Sequence, residues 1–174
     1  FSLATAIPRS QASTTVVLTP INDAVVEPAE TVILTLSDTA NYALGAAGTE
    51  TATVTITEDA VPVVTVSATD PDASEIGPDT GTFTFTRTGD TSLALTGVTY
   101  TRTGTATNVT DFTPNIAASA ALNFPAGSAT VTITITPAND ALVEDPETII
   151  LTLTDGANYN LGTPATATVA VTDD

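Results

Sequence analysis

Hydrophobic and polar residues alternate strictly along four separate stretches of this chain. The stretches are TATVTIT at 51–57, TGTFTFTRT at 80–88, SATVTITIT at 128–136 and ATATVAVT at 165–172. Alternation with a period of two places apolar side chains on one face of a strand and threonines on the other, and β-branched residues favour strands. Short turn sequences such as TPAND and RTGD separate these stretches, and helical periodicity is evident nowhere. The pattern predicts an all-β fold, an antiparallel, immunoglobulin-like β-sandwich in tandem repeats.

An internal repeat underlies this pattern. INDAVVEPAETVIL at 21–34 recurs as ANDALVEDPETIIL at 138–151, and the two copies have Asn, Asp and two Glu in the same places. The match continues downstream, where NYALG at 41–45 corresponds to NYNLG at 158–162, and TVTITED at 53–59 corresponds to TVAVTDD at 168–174. Self-similarity over this length indicates duplicated domains rather than a chance echo.

The two copies are unequal in length. Residues 60–174 make a complete unit of about seven predicted strands, whereas residues 1–59 correspond only to the second half of such a unit and lack counterparts of 61–111. A half sandwich would expose its inner face to water, at a cost of roughly 25 cal/mol per Å² of apolar surface. Three explanations stay open: a fragment of a longer array, completion by strands of a neighbouring subunit, or a self-sufficient mini-domain of marginal size.

The charge balance is strongly acidic. The chain has 20 Asp and Glu against three Arg, no Lys and no His, so its formal net charge is −17. Nothing is available to neutralise phosphates, which argues against nucleic acid and anionic membranes as partners. No apolar run approaches the roughly 20 residues of a membrane-spanning helix, so we expect no direct membrane insertion. Cations are the natural partners of such a chain.

The residue types also limit the chemistry. Without Cys or His the chain has no thiolate or imidazole metal ligand and no usual general base or nucleophilic triad. Paired carboxylates could in principle serve a glycosidase, but there is no Trp to stack on a sugar and aromatic residues make up 5% of the chain. We therefore predict that the protein is not an enzyme.

The acidic residues of the repeated motif are predicted to meet at one end of the sandwich. In each copy Asn and Asp leave one strand and two Glu precede the next; the complete unit adds Asp111 in the turn NVTDF and the closing TDD at 172–174. Like charges this close repel one another unless a cation joins them. Ca²⁺ fits best, since it takes six to eight oxygen ligands in flexible geometry. The alternative is that these acids are ordinary solvated turn residues.

Residues 61–174 resemble the Calx-beta domain, the calcium-binding β-sandwich of sodium/calcium exchangers, an integrin β subunit and large bacterial surface proteins. The resemblance rests on GTFTFTRTGD (81–90), VTYTRTGTATNVTDF (98–112), LNFPAGSATVTITI (122–135) and NDALVEDPETIILTL (139–153). The second half of the same motif covers 10–59. The resemblance implies a Ca²⁺ site made from several loops.

Carrying the family's ligand positions over residue by residue gives a candidate set. In the complete unit the candidates are Glu75, Asp111, Asn139, Asp140, Glu144, Glu147, Asp173 and Asp174; in the half unit they are Asp23, Glu27, Glu30, Glu58 and Asp59. Asn139 stands where the exchangers have another Asp, and the half unit has no equivalent of Glu75 or Asp111. We therefore expect weak binding, about 10⁻⁴ to 10⁻³ M, as in extracellular modules.

These observations predict an extracellular or cell-surface structural or adhesive repeat, stiffened by Ca²⁺ at the sandwich ends into a rod or fibre. Two alternatives stay open, a self-assembling filament subunit completed by strand exchange and a regulatory calcium sensor. The expected partners are neighbouring copies of the chain or further repeats, with an unidentified carbohydrate or surface target. Glu58 and Asp59, which lie two residues from the first predicted strand of the next unit, would place an ion at the junction between units.

Overall fold

The structure, a computed structural model, describes residues 12–23, 27–37, 42, 44, 50–57, 60–77 and 79–173. In these ranges the secondary structure consists of strands, with no helix. The strands of the first half are β1 (Glu30–Thr35), β2 (Thr51–Ile56), β3 (Val63–Asp70), β4 (Asp72–Ser74), β5 (Gly81–Thr88) and β6 (Leu95–Thr103). The remaining strands are β7 (Phe112–Thr113), β8 (Ser119–Phe124), β9 (Thr130–Pro137), β10 (Glu147–Leu153), β11 (Asn160–Leu161) and β12 (Thr166–Thr172).

Strands β3 to β12 form a sandwich of two five-stranded sheets, with the orders β4-β12-β10-β6-β8 and β11-β3-β5-β9-β7. Neighbouring strands are antiparallel except at two edges, where β4 runs parallel to β12 and β11 runs parallel to β3. The sequence predicts about seven strands, and the structure adds three strands of two or three residues, β4, β7 and β11, all at sheet edges. The predicted all-β sandwich is confirmed.

The core lies between the two sheets, as the alternating pattern predicts. Inward-facing residues of both sheets are fully buried, namely Val64, Val66, Phe83 and Phe85 from one sheet and Ile149, Leu151 and Val169 from the other. The Phe85 and Tyr100 rings pack with their centroids 5.4 Å apart. Threonines occupy the alternate positions of these strands, so each sheet presents a largely apolar face inward and a polar face outward.

Strands β1 and β2 form a separate two-stranded antiparallel sheet. Its register repeats that of β10 and β12. The pairs Glu30↔Ile56, Val32↔Val54 and Leu34↔Ala52 correspond to Glu147↔Val171, Ile149↔Val169 and Leu151↔Ala167. Residues 13–20, which correspond to β9, form no strand although they carry a similar apolar pattern. The half unit thus reproduces one hairpin of the sandwich.

Several strand ends meet at one end of the sandwich. The pairs Ser74↔Thr172 and Val171↔Glu147 bring the ends of β4 and β12 to the start of β10. On the opposite sheet, Phe112 at the start of β7 pairs with Pro137 at the end of β9. The loops that carry the predicted acidic residues of the complete unit therefore leave the two sheets at the same end.

Candidate metal centre

Glu75 and Asp173 lie side by side because their strands run parallel. Each directly follows the last residue pair of β4 and β12, and the Glu75 N–H donates a 3.0 Å hydrogen bond to the Thr172 carbonyl. Glu75 is buried, and no ion pair of Glu75 is found among the described residues, which is unusual for a buried carboxylate. This edge of the sheet therefore contributes two acidic side chains to the end of the sandwich.

Asp111 is held by a tight loop that precedes β7. The Asp111 N–H donates to the Thr107 carbonyl at 3.1 Å, and the Thr107 N–H donates back to Asp111 Oδ2. The Asp111 carbonyl accepts from the N–H of Ala138, just beyond β9, at 3.0 Å. Since the side chain is buried and one of its oxygens is fixed by the loop, Asp111 is positioned before any ligand arrives.

Three carboxylates converge at this end. The ligand oxygens of Asp111, Glu144 and Glu147 all lie within 4.8 Å of one another. Asp111 is buried, Glu147 at the start of β10 is half-buried, and Glu144 in the loop before β10 is exposed. The site is therefore open to solvent on the Glu144 side and closed by the sandwich on the Asp111 side.

Hydrogen bonds tie the other predicted ligands of the complete unit to this cluster. The Asp140 N–H donates to Glu75 Oε2 at 3.3 Å, and the side-chain amide of Asn139 donates to the Glu75 carbonyl at 3.1 Å. The Glu144 N–H donates to Asp173 Oδ2 at 2.6 Å. The structure thus brings seven of the eight predicted residues together; Asp174 lies outside the described residues.

Burial and repulsion between the carboxylates raise the pKa values of two members of the cluster, Glu147 and Glu144. The pKa of Glu147 is raised from its ordinary value of 4.5 to about 7 by partial burial, by a hydrogen bond to Asp111 and by repulsion from Asp111 and Glu144. The pKa of Glu144 is also raised, by desolvation and by the charges of Asp111, Asp140, Asp173 and Glu75. These carboxylates repel one another when all are ionised, so a cation or a proton is needed to hold them together.

The site fits a hard cation. Its donors are all oxygens, and Asp173 Oδ1 is buried with no hydrogen-bond partner in the described part of the chain. A buried carboxylate oxygen without a partner costs free energy, and a bound cation is one way to satisfy it. With no His or Cys in the chain, the donor set suits Ca²⁺ rather than zinc or iron.

Two residues that support the site escape prediction from the sequence. Arg102 donates to the carbonyls of Ile116 at 2.9 Å and Ala106 at 3.2 Å, and its guanidinium lies 5.8 Å from the Phe112 ring centroid. It thereby fixes both sides of the loop that carries Asp111. Thr107 donates its backbone N–H to Asp111, and this interaction cannot be predicted from the residue type. The rarity of basic residues is the one signal that could have singled out Arg102.

The half unit has no comparable cluster among its described residues. Asp23, Glu27 and Glu30 are exposed, and no group of three acidic residues forms there as it does around Asp111. Glu27 and Glu30 line an open cleft of about 510 Å³. The other two half-unit candidates, at positions 58 and 59, lie outside the described residues.

The fold and site together define a β-sandwich domain with a carboxylate cluster at one end that could hold a metal ion. A model of the Calx-beta domain matches residues 9–60 and 59–174. The chain therefore belongs to the Calx-beta family, whose domains are Ca²⁺-binding β-sandwiches. The family occurs in exchangers and in surface proteins.

Two solved structures are similar. The apo form of the Calx CBD1 domain is 24% identical with a TM-score of 0.51, and the match covers 66% of this chain and 99% of that one. CBD12 from CALX1.2 is 23% identical with a TM-score of 0.50, and the match covers 64% of this chain and 45% of that one. Both likenesses bear on the fold. No curated protein matches the chain.

The described residues contain no helix with the length and apolar character needed to cross a membrane.

Proposed function

We propose that this chain is a Ca²⁺-binding structural repeat of an extracellular or cell-surface protein, and that the ion stiffens one end of the sandwich. One observation carries the proposal: ligand oxygens of Asp111, Glu144 and Glu147 lie within 4.8 Å of one another. The Glu144 N–H donates to Asp173, whose buried Oδ1 has no hydrogen-bond partner in the described part of the chain. An ion held by these groups would join the loops before β7 and β10 to the end of β12. Ca²⁺ would then add stability to the folded chain.

Weak affinity follows from the same geometry. Glu144 is exposed, Asn139 replaces a charged ligand with a neutral one, and near neutral pH an ion would have to displace the proton of Glu147. A site of about 10⁻⁴ to 10⁻³ M is filled only where Ca²⁺ is millimolar, which is the extracellular condition. This argument favours a structural role outside the cell over a sensor, which needs micromolar affinity. We also retain the prediction that the chain is not catalytic.

Thermal melts of the full chain with and without Ca²⁺ test the proposal. At ten times the dissociation constant, Ca²⁺ should add about 1.4 kcal/mol to the free energy of unfolding, which raises Tm by about 3–6 °C for a domain of this size. Mg²⁺ should add less, because it keeps its waters and prefers fewer protein carboxylates. Isothermal titration calorimetry gives the affinity directly.

Matched variants locate the ion. Asp111→Asn and Glu147→Gln should each abolish most of the Ca²⁺-dependent stabilisation while the chain stays folded. Glu30→Gln, which removes the charge at the position equivalent to Glu147 in the half unit, should leave it unchanged. Melting curves that superimpose in chelator and in 10 mM Ca²⁺ (about ten times the weakest Kd expected) would exclude the proposal.

A filament subunit is the second candidate. The observation that favours it is the apolar face of the β1–β2 hairpin, which in the described part of the chain has no covering sheet. A partner that covered this face would link one chain to the next. Sedimentation of the purified chain across a concentration series would reveal such assembly.

A further inference from the structure

The half unit exposes residues that the complete unit buries. For residues before β2, the equivalent position in the complete unit is 117 residues further along the chain. Leu36 is 59% exposed against 3% for Leu153, and Leu18 is 36% exposed against 0% for Ile135. These leucines therefore sit at positions that belong to a sandwich core but face solvent here. Large exposed apolar positions that repeat a buried pattern indicate a covering layer that the described residues of the half unit do not supply.

The complete unit shows what that layer is. The apolar face of its β10–β12 hairpin packs on the opposite sheet, with β12 against β3 and β5. The side chains that cover it are Val64, Val66, Phe83 and Phe85, all fully buried. Since the β1–β2 hairpin has the same register and similar residues, a strand pair of the β3–β5 kind matches its surface.

Residues 13–20 give an independent indication of the same occupant. They correspond to β9, yet they form no strand. In the complete unit β9 is a strand because it pairs with β5 on one side and β7 on the other, with Gly81 opposite Ile135 and Phe83 opposite Ile133. Neither neighbour has a counterpart within residues 1–59. The segment 13–20 therefore has the sequence pattern of a strand but no pairing partner of the β5 or β7 kind within residues 1–59.

We propose that residues 13–20 and the β1–β2 hairpin form a docking surface for a first-half Calx-beta segment, with the alternating pattern of residues 63–88. The second strand of that segment pairs with residues 13–20, and its apolar side chains cover β1 and β2. The proposal concerns the apolar face and does not depend on Ca²⁺ binding.

A second folded copy of the chain is a poorer source of these strands. Its own Phe83, Phe85 and Val64 are fully buried in its own core, so donating β3 and β5 would open a closed sandwich. Removing large apolar side chains from a packed core is strongly destabilising. A first-half segment that is not part of a complete unit has no such cost. The occupant is therefore a separate first-half segment.

The repeat offset provides the test. Position 1 corresponds to position 118, so a copy of residues 60–117 joined directly ahead of Phe1 restores the repeat without a linker. In this fusion the backbone amides of residues 14, 16 and 18 and of β1 and β2 should exchange with solvent at least about 100-fold more slowly than in the original chain. Hydrogen exchange with mass spectrometry measures this, with residues 118–174 of the native unit, which occur once in the fusion, as the internal reference.

A matched control separates docking from mere attachment. The same fusion with Phe83→Asp and Phe85→Asp in the added copy alone should leave these amides as fast as in the original chain, while the native unit keeps its protection. Fast exchange in the unmodified fusion, with the native unit still protected, overturns the proposal. So does a dimer of the original chain in which residues 13–20 are already protected, because the occupant would then be a second copy.

Discussion

The β1–β2 and β10–β12 hairpins are two copies of one structure in different surroundings. They share their strand register. In each copy, a tyrosine hydroxyl also donates to the backbone carbonyl five residues earlier in the chain. Tyr42 donates to Ser37 in one copy, and Tyr159 donates to Thr154 in the other. Yet Tyr42 is 50% exposed and Tyr159 only 2%. Local sequence is enough to build the hairpin and its corner, whereas burial depends on a second sheet.

The acidic residues show the same contrast. Glu30 and Glu147 hold equivalent positions at the start of their hairpins. Glu147 meets Asp111 and has a raised pKa, whereas Glu30 lines an open cleft. Asp111 and Glu75 come from the part of the unit that residues 1–59 do not contain. The candidate metal centre is therefore a property of the assembled sandwich and not of the repeated acidic motif alone.

Truncating a matched pair of leucines gives the largest expected difference between the copies. Leu153→Ala removes a buried side chain and should lower the free energy of unfolding by about 2–5 kcal/mol. Leu36→Ala, at the equivalent exposed position, should change it by less than about 0.5 kcal/mol. Urea denaturation of each variant measures both values. Equal losses would mean that the half unit is already covered in solution.

Much of this fold can be predicted from the sequence because alternation and the repeat are strong signals. The long strands follow period-two patterns, and the acids that flank them fall at one end once the strands pair. Residues 13–20 show the limit of this reasoning. Their apolar pattern is similar to that of β9, but a strand also needs a neighbour to accept its hydrogen bonds. Pattern alone does not say whether that neighbour is present.

The details of the candidate site could not be predicted from the sequence for a different reason. Thr107 fixes Asp111 through a backbone N–H, and Arg102 holds the loop through two carbonyls. Every residue type except proline has the same backbone donor and acceptor, so the sequence does not show which of them will form these hydrogen bonds. The short strand β4 pairs parallel with β12 over three residues. That pairing places Glu75 beside Asp173, and no local sequence pattern predicts the pairing.

Removing the hydroxyl of Tyr159 or of Tyr42 should change the free energy of unfolding by a smaller amount than the leucine truncations do, and the two losses should differ. Tyr159→Phe removes a hydroxyl that donates to the Thr154 carbonyl at 2.6 Å and accepts from the Thr99 N–H at 3.1 Å. Because both partners are part-buried and would lose this hydrogen bond, we expect a loss of about 1–3 kcal/mol. Tyr42→Phe should cost less than about 1 kcal/mol, since water can replace its exposed bond. Chemical denaturation distinguishes the two; identical losses would contradict the contrast in burial.

The stability of the metal-free chain should fall as pH rises. The pKa of Glu147 is about 7 in the folded chain against an ordinary 4.5, so the folded state binds more protons than the unfolded state between these values. Stability contributed by this proton is present below about pH 4.5 and is lost as pH rises through 7. Melts in chelator at pH 5 and pH 8 should therefore show a lower Tm at pH 8.

Matched charge removal isolates this effect. Glu147→Gln should flatten the dependence of Tm on pH, whereas Glu30→Gln, which removes the same charge from the half unit, should not. A wild-type Tm that rises from pH 5 to pH 8 in chelator would contradict the proposed strain. Adding Ca²⁺ at pH 8 should raise the Tm of the wild-type chain back towards its value at pH 5. The Tm of Glu147→Gln should change little on adding Ca²⁺.

The smallest expected effect concerns the loop around Asp111, which has no counterpart in residues 1–59. Val109 lies in this loop with φ of 72°, a left-handed conformation that is unfavourable for a β-branched residue. Val109→Asn should stabilise the chain by about 1 kcal/mol, because Asn tolerates this conformation and the exposed Val109 side chain packs on little. Thermal melts should show a rise in Tm of a few degrees.

Val143→Asn is the matched control for Val109→Asn. Val143 is also exposed, and Val109 is the residue with positive φ among the described non-glycine residues, so the control should give no gain. An equal gain in both variants would show that the effect comes from removing exposed apolar surface. A gain at Val109 alone, accompanied by unchanged Ca²⁺ affinity, would show that the loop holds Asp111 through its hydrogen bonds to Thr107 and does not need the strained valine.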